Sequence, residues 1–254
     1  MLLAFDVGNT NMVLGVFKED ELLSDWRVYS ERHKTADEYG ALFIQLLREE
    51  EIGADDIDRV IISSVVPPLT ASLSGMVRKY FKQEPLIVNS NNKLNIRIKL
   101  ENPGEVGADR LVNAVAAYEK YGGPLIIIDF GTATTFCAVS GAGEYLGGAI
   151  APGIGISTEA LFDYAAKLPR IELKKPPRAI GSNTIASMQS GIVFGYAGQV
   201  KYLVEKFKDE LSPDARVIAT GGLASFVAEE YSEFDEVNPY LTLEGLKILD
   251  ELNR

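Results

Sequence analysis

The chain carries two short acidic segments that resemble each other and could bind a phosphorylated ligand. One apolar run leads into Asp6, Val7 and Gly8, and a second leads into the segment Asp129 to Thr134. In both, Asp-x-Gly precedes small hydroxyl or amide residues and another apolar run, a pattern that predicts a β-hairpin with a polar tip. Two such tips facing each other would form a cleft of backbone N–H groups, hydroxyls and two carboxylates, which suits phosphate and its metal ion.

The first tip (residues 6–13, tip 1) contains the donors that phosphate oxygens require. Gly8 lets the backbone approach a phosphate closely and adopt turn dihedrals closed to other residues, and residues 9–11 offer hydrogen-bond donors. Asp6 would repel phosphate unless a cation lay between them, so we predict that Asp6 positions Mg²⁺ through water, because Mg²⁺ retains several waters. The structural alternative is a type I′ hairpin with Asp and Gly as ordinary turn formers. The second copy of the pattern favours the functional interpretation.

A third polar segment, Asn102 to Arg110, places a carboxylate and an arginine after a glycine turn. Asp109 begins a predicted helix and could be merely its N-cap. However, Gly107 and Ala108 leave the backbone unshielded, and the guanidinium of Arg110 offers a planar fork to a carboxylate or phosphate. This set suits a substrate that bears both a hydroxyl and a carboxylate.

Two further segments leave structural and functional interpretations open. The stretch Gly147 to Ile154 is rich in small residues, and it is either a tight strand-to-helix turn or a wall where backbone approaches a substrate. Thr184 begins a long predicted helix and could simply cap it, although helix N-termini also bind anions.

The bulk composition excludes several classes of function. A net charge of -11 argues against a nucleic-acid partner, because a phosphate backbone attracts a basic surface. His33 is the only histidine and lies in a polar stretch, which argues against a His-based triad or a multi-His metal site and favours a carboxylate, Lys or Tyr as any catalytic base. Cys137 is the only cysteine, so no intrachain disulfide forms. The apolar runs have the length of strands and no leader segment is visible, which predicts a cytoplasmic protein without a membrane partner.

The element pattern predicts an α/β fold made of two related halves. Each half opens with one of the hairpins and continues with strands and helices, and the break at Tyr121 to Pro124 separates the halves. We therefore predict a first domain over residues 1–117 and a second over 118–254. The predicted helices are 35–50, 69–81, 109–121, 156–167, 184–210, 223–230 and 242–253.

The two halves together resemble the actin-like, sugar-kinase and Hsp70 ATPase fold. The resemblance rests on Asp6 to Thr10, on Asp129 to Thr134 and on the late glycine turn Ala219 to Gly222. It implies two duplicated actin-like ATPase domains, each a mixed sheet flanked by helices, with the active site in the cleft between them.

The same segments, with others, resemble type III pantothenate kinases over residues 1 to about 250. The additional motifs that carry the resemblance are Gly107 to Arg110, Gly148 to Gly153, and Asn183–Thr184 with Met188 to Gly191. It implies a cytoplasmic homodimer that uses ATP and Mg²⁺ to phosphorylate pantothenate to 4′-phosphopantothenate, the step that opens coenzyme A biosynthesis.

The resemblance also implies roles for individual residues. Asp109 is the proton acceptor, and Asp129 binds a monovalent cation, K⁺ or NH₄⁺. Thr184 is similar to a pantothenate contact supplied by the neighbouring subunit. Many members carry Tyr where this chain has Leu100, so the hydroxyl contact of that position is lost here. The implied ATP-binding residues are Asp6, Val7, Gly8, Asn9, Thr10, Asn11, Met12, Val13 and Thr132. The implied substrate-binding residues are Leu100, Gly107, Ala108, Asp109, Arg110 and Thr184.

Other functions fit parts of the pattern. One is a different small-molecule kinase or phosphatase of the same fold, which would prefer another alcohol to pantothenate. Another is a non-enzymatic regulator, because some relatives of this family are described as accessory factors for transcription. A third is an Hsp70-like ATPase module, although no peptide-binding domain follows in this chain.

Overall fold

The computed structural model describes residues 1–254, which form two compact units. Unit 1 contains Met1–Ile96, Glu101–Glu119 and Leu241–Arg254, and unit 2 contains Arg97–Leu100 and Lys120–Tyr240. The predicted division at residues 117 and 118 differs from these units chiefly in the C-terminal helix, which packs in unit 1.

Unit 1 is built on a five-stranded mixed sheet in the order β3-β2-β1-β4-β5. The strands β1, β2 and β3 are antiparallel neighbours, whereas β4 and β5 continue the sheet in parallel from β1. The strand bounds are β1 Leu2–Val7, β2 Asn11–Lys18, β3 Glu21–Tyr29, β4 Arg59–Ser64 and β5 Leu86–Ile87.

The helices of unit 1 bury apolar faces against this sheet. In α1 the side chains of Tyr39, Phe43 and Leu47 recur at four-residue spacing and are buried in the core together with Phe5. The first turn is fixed by Thr35, which accepts a hydrogen bond from the backbone N–H of Glu38. The helix bounds are α1 Ala36–Glu49, α2 Pro67–Met76, α3 Ala108–Tyr121 and α7 Leu241–Leu252, and the last two residues of α3 lie in unit 2.

The C-terminal helix α7 lies in unit 1 because its buried face matches that unit. Leu246 and Leu249 are fully buried. A Cβ on Gly245 would collide with the carbonyl oxygen of Val112, so the absence of a side chain lets α7 lie directly against α3. No sequence pattern indicates which half of the chain supplies the partner for such an apolar face.

Unit 2 is built on a six-stranded mixed sheet in the order β11-β10-β7-β8-β9-β6. Its strands are β6 Arg97–Ile98, β7 Leu125–Phe130, β8 Ala133–Val139, β9 Glu144–Pro152, β10 Arg216–Thr220 and β11 Glu236–Val237. Its helices are α4 Ile154–Tyr164, α5 Thr184–Glu210 and α6 Ala224–Ala228. The sequence does not predict the edge strand β6, because two residues are too few to show a strand pattern.

The duplication predicted from the two hairpins extends to the register of the strands. In unit 1, β1 runs parallel to β4 with Leu2 opposite Arg59 and Asp6 opposite Ser63. In unit 2, β7 runs parallel to β10 with Leu125 opposite Arg216 and Asp129 opposite Thr220. Each unit therefore places an aspartate near the end of its central strand, beside a hydroxyl residue of the next parallel strand. The mixed α/β architecture with two related sheets is confirmed.

The predicted helices are found close to their expected bounds, with one exception in shape. The apolar pattern predicts a single helix over residues 69–81, but α2 begins earlier, at Pro67, and is followed by a π-helical turn over Val77–Phe81. Proline is tolerated in a first helical turn because its missing N–H has no partner there. The segment 169–181 contains no helix or strand, as expected. Among the helices, none combines the length and the hydropathy that a membrane span requires.

Candidate active site

Tip 1 is a tight connection between β1 and β2 in unit 1. The N–H of Gly8 donates to the carbonyl of Asn11 at 3.0 Å. No residue of tip 1 has a positive φ, which excludes the type I′ turn and shows that the turn dihedrals expected for Gly8 are wrong. Glycine is favoured at position 8 for another reason, because a Cβ there would lie 3.0 Å from the carbonyl oxygen of Asn11, closer than an ordinary contact.

The side chains of tip 1 divide into a core face and an outer face. Val7 and Met12 are buried in the core of unit 1, so only their backbone atoms can face a ligand. Asn9 and Thr10 are exposed, and Asp6 is half-buried opposite Val13. The outer groups therefore have the hydrogen-bonding chemistry that a phosphate ligand needs.

Two residues that follow β3 hold tip 1 in place, and sequence reasoning misses both. The hydroxyl of Ser30 donates to the carbonyl of Gly8 at 2.7 Å, and Nη2 of Arg32 donates to Oδ1 of Asn9 at 2.9 Å. The stretch 30–34 shows only a polar composition, and its contact with tip 1 depends on the pairing of β2 with β3. Arg32 gives tip 1 a fixed positive charge.

The second tip (residues 129–135, tip 2) is the corresponding connection in unit 2, with a loop one residue shorter than that of tip 1. Gly131 donates its N–H to the carbonyl of Ala133 at 3.1 Å, and Thr132 is exposed at the turn. Asp129 is half-buried and lies opposite Thr135 on one side and Thr220 on the other. The segment contains no basic residue, in contrast to tip 1, which has Arg32 beside it.

The glycine turn after β10 makes room for the Asp129 carboxylate. Gly221 has φ +91°, and a Cβ on it would collide with Oδ1 of Asp129 and lie 2.7 Å from the backbone nitrogen of Phe130. The carboxylate and the turn therefore share a space that only glycine leaves open.

We expect Gly221→Ala to destabilise the fold by about 1–3 kcal/mol. The new side chain would collide with the Asp129 carboxylate, and alanine would also be strained at the positive φ of this position. It should also displace the Asp129 carboxylate. Thermal unfolding measures the first effect, and the dependence of the melting temperature on K⁺ measures the second. Gly198→Ala is the control, since a Cβ at Gly198 in α5 meets nothing within 4 Å. Equal melting temperatures for the two variants would contradict this account.

Asp109 lies in the first turn of α3, and it is not the N-cap. The helix begins at Ala108, and the N–H of Leu111 bonds to the carbonyl of Gly107 at 3.1 Å. Oδ1 of Asp109 accepts a hydrogen bond from the N–H of Arg110 at 2.8 Å. A Cβ on Gly107 would lie 2.6 Å from this oxygen, so glycine at position 107 makes room for the carboxylate.

The electrostatic environment of Asp109 combines burial with a neighbouring arginine. Burial raises the pKa of Asp109 above its ordinary value, while the hydrogen bond from the backbone of Arg110 and the charge of its guanidinium act in the opposite direction. A half-buried carboxylate with a raised pKa and a neighbouring Arg is typical of a general base in an active site.

The predicted substrate residues are divided between the units. Gly107 to Arg110 are in unit 1, whereas Leu100 and Thr184 are in unit 2. Leu100 lies against the backbone of Gly147, since its Cδ2 would be 3.2 Å from a Cβ there. Leu100 thus packs against Gly147, and it has no hydroxyl of the kind that a Tyr at this position would offer to a substrate.

Thr184 is not the cap of α5, because Asn183 performs that function. Oδ1 of Asn183 accepts from the N–H of Ala186 at 2.9 Å. Thr184 is exposed in the wall of a cavity of about 620 Å³ within unit 2. The cavity is lined by Lys167, Pro169, Asn183, Thr184, Ile185, Ala186 and Gln189.

Two glycines of the stretch 147–154 are explained by packing, which favours a tight strand-to-helix turn over a substrate-facing wall. A Cβ on Gly148 would collide with the carbonyl oxygen of Phe136 on β8. A Cβ on Gly153 would collide with the carbonyl oxygen of Thr132, to which the N–H of Gly153 donates at 3.1 Å. These glycines let β9 and the start of α4 pack directly on β8 and on tip 2.

The oxygen donors of the tips fit hard cations, although no group of three or more His, Cys, Asp or Glu side chains forms a metal centre. Asp6 and Asp129 each contribute one carboxylate beside backbone carbonyls and hydroxyls. Mg²⁺ is commonly held by one or two carboxylates together with waters and substrate phosphates, so a full protein cage is not required. The donor set of each tip is therefore suited to a hard cation such as Mg²⁺.

The fold is shared with solved structures of low sequence identity. One from Campylobacter jejuni, described as a Baf family transcriptional activator, has 17% identity and a TM-score of 0.64, with 98% of this chain and 97% of that chain covered. The inorganic polyphosphate/ATP-glucomannokinase of Arthrobacter sp. strain KM has 15% identity and a TM-score of 0.52, with 100% and 99% covered. MreB 5 of Spiroplasma citri bound to AMPPNP has 10% identity and a TM-score of 0.59, with 98% and 96% covered.

These likenesses define the class of fold as that of the actin-like ATPases and sugar kinases, as predicted. The model of the type III pantothenate kinase family matches residues 2–206, and the chain belongs to that family. It is accordingly a transferase that uses ATP to phosphorylate pantothenate, the first step of coenzyme A biosynthesis. A divalent metal accompanies ATP in this class of reaction.

Proposed function

We propose that this chain phosphorylates the hydroxyl of pantothenate with Asp109 as the proton acceptor. The observation that carries the proposal is the environment of Asp109. Burial raises its pKa, Gly107 leaves its carboxylate uncovered, and Arg110 follows it directly. A base must accept the hydroxyl proton as the oxygen attacks phosphorus, and a raised pKa makes this carboxylate a better acceptor than an ordinary one.

Arg110 is the proposed partner of the substrate carboxylate. Pantothenate has a carboxylate as well as a hydroxyl, and a guanidinium binds a carboxylate through two parallel hydrogen bonds. A base and a guanidinium on consecutive residues of α3 select a substrate with both groups. The backbone at Gly107 and Ala108 supplies further close contacts, and Leu100 offers an apolar one.

Tip 1 is proposed to bind the ATP phosphates through its backbone and through Asn9, Thr10 and Asn11. Arg32 adds positive charge beside Asn9. Asp6 is proposed to hold Mg²⁺ through water. When bound, Mg²⁺ neutralises charge on the phosphate oxygens, and the loose transition state of phosphoryl transfer requires little of the protein beyond such positioning.

Tip 2 is proposed to contribute Thr132 as an ATP contact and Asp129 as the ligand of K⁺ or NH₄⁺. The half-buried carboxylate of Asp129 and the hydroxyl residues opposite it, Thr135 and Thr220, support this assignment, because hard cations take oxygen ligands. A monovalent cation supplies the positive charge that this hairpin lacks.

The direct test is a coupled assay of ADP release with pantothenate as acceptor. Panthenol, which replaces the carboxylate with a hydroxyl, is the matched acceptor. We expect a clear preference for pantothenate in the wild type, and we expect Arg110→Gln to remove most of it. Preference for an unrelated alcohol would favour another kinase of this fold, and absence of any turnover would favour a regulator.

A homodimer is proposed in which Thr184 of one subunit contacts the pantothenate bound by the other. The exposed position of Thr184 in a cavity wall, beside Asn183, which caps the helix in its place, supports the proposal. Dimers that combine two different variant subunits test the proposal, because each site would then contain Asp109 from one chain and Thr184 from the other.

We expect Thr184→Val and Asp109→Asn homodimers to be weakly active or inactive, and mixed dimers to regain activity. In a mixed dimer one site combines the intact Asp109 of one subunit with the intact Thr184 of the other. The measurement is ADP release after the two variants are co-expressed and purified through two different tags. If Thr184 acted within its own subunit, every site would remain defective and no activity would return.

A further inference from the structure

Two buried hydroxyls stand at equivalent positions in the two units. Ser63 in β4 and Thr220 in β10 are both fully buried, and neither Oγ of Ser63 nor Oγ1 of Thr220 has a hydrogen-bond partner. Each is the register partner of an aspartate on the neighbouring central strand, Asp6 for Ser63 and Asp129 for Thr220. Thr220 lies in the glycine turn Ala219 to Gly222 that carries part of the fold resemblance, whereas no sequence motif includes Ser63.

Each hydroxyl lies on the same face of its own sheet as the carboxylate of its partner aspartate. Side chains alternate along a strand, and register partners on adjacent strands point to the same side. The neighbours of Asp6 in sequence, Phe5 and Val7, belong to the core cluster on the opposite face, as does Ala219 beside Thr220. The nearest strong acceptor available to each hydroxyl across the strand pair is therefore the carboxylate of its partner aspartate.

A buried hydroxyl without a partner destabilises a fold, whereas a methyl group of the same shape does not. This cost is present twice, at positions related by the internal duplication. Packing alone does not account for it, since Val at position 220 would fill the same space, and Ala at position 63 would leave out only one oxygen atom, in both cases without an unpaired donor. A carboxylate that turns toward its neighbour on binding a cation would accept the O–H and remove the cost.

We infer that Ser63 and Thr220 are positioning residues, each donating its hydroxyl to the partner aspartate when that carboxylate binds a cation. Ser63 would support Asp6 in the Mg²⁺–nucleotide complex, and Thr220 would support Asp129 with the monovalent cation. The proton stays on the hydroxyl, because the hydrogen bond stabilises the charged form of the carboxylate and does not transfer a proton. The inference rests on the proposed cation roles of Asp6 and Asp129.

Cation binding tests the inference separately in each unit. The affinity for Mg²⁺–ADP is measured by calorimetry at saturating K⁺, and the rise of the melting temperature with K⁺ is measured against choline. We expect Ser63→Ala to weaken Mg²⁺–ADP binding about tenfold, as for the loss of one hydrogen bond to a charged group, with a normal K⁺ response. We expect Thr220→Val to shift the K⁺ response about tenfold to higher concentration, with normal Mg²⁺–ADP binding.

Matched variants separate this role from a structural one. Thr134 is also fully buried with an unpartnered hydroxyl, but it is paired with Phe130 on the core face. Thr134→Val should therefore change neither cation response, and Thr220→Ser should keep the K⁺ response of the wild type. None of the hydroxyl deletions should lower the melting temperature of the ligand-free protein.

Wild-type affinities in both Ser63→Ala and Thr220→Val would overturn the inference while leaving the proposed function intact. Equal losses in Thr134→Val would also overturn it, because the effect would then belong to any buried hydroxyl of the sheets. A wild-type protein that bound neither Mg²⁺–ADP nor K⁺ would overturn the proposed function itself.

Discussion

Asp109→Asn should lower kcat by about 10²–10⁴-fold, the range that general-base assistance contributes. Asn has nearly the same shape, and its carbonyl oxygen can accept the hydrogen bond that Asp109 receives from the N–H of Arg110. The change therefore removes the proton acceptor and leaves the first turn of α3 intact. Steady-state kinetics with pantothenate measures the loss, and calorimetry with ATP should show unchanged binding. Turnover near the wild-type level would remove Asp109 from the proposed role.

The raised pKa of Asp109 predicts how activity and stability depend on pH. The base must be ionised, so kcat/KM of the wild type should rise with pH through a pKa above the ordinary value of 3.8 and then level off. A carboxyl with a raised folded pKa binds more protons in the native state than in the unfolded state, so its contribution to stability falls as pH rises through that window. Above the folded pKa, Asp109→Asn should therefore be at least as stable as the wild type.

Replacement of K⁺ by Na⁺, with NH₄⁺ absent, should lower kcat by about 10²-fold, the scale of a lost electrostatic contact to transition-state charge. The physical reason lies in tip 2. Tip 1 has the guanidinium of Arg32 beside it, whereas residues 129–135 contain no cationic side chain and Asp129 adds a negative charge. A monovalent cation bound at Asp129, as proposed above, would reduce the negative charge that tip 2 presents to ATP.

Kinetics in choline buffer titrated with K⁺, NH₄⁺ or Na⁺ tests this dependence. Asp129→Asn should lose most of the activity and should no longer respond to K⁺, because the ligand charge is gone. Asp55→Asn, in an exposed helical turn of unit 1, is the matched control and should behave as the wild type. Full activity of the wild type without K⁺ and NH₄⁺ would contradict the proposed cation role.

The repeated hairpins are readable from the sequence because hydrophobic runs and Asp-x-Gly turns are local signals. The sequence pattern identifies Asp6 and Asp129 as paired acidic residues, and the strand pairing places them at equivalent positions. The helix that begins near Asp109 is also predictable, since its apolar stripe has helical periodicity. The family follows from several such motifs in one order along the chain.

Alternatives that depend on backbone geometry could not be settled from the sequence. The type I′ turn at tip 1 and the N-cap role of Asp109 are both reasonable for their residue types, yet no φ of tip 1 is positive and α3 begins at Ala108. Residue type limits such conformations without fixing them, because many turns accept Asp, Asn and Gly.

The sequence by itself determined the two acidic tips, the alternation of strands and helices and the family, since all of these reside in contiguous segments. Only the tertiary structure decided that α7 packs in unit 1, that Arg32 reaches Asn9, and that Gly221 leaves space for Asp129. It also placed Ser63 and Thr220 beside the two aspartates. The reason is physical: strand register and helix docking bring together residues far apart in the chain, and a local pattern carries no record of its distant partner.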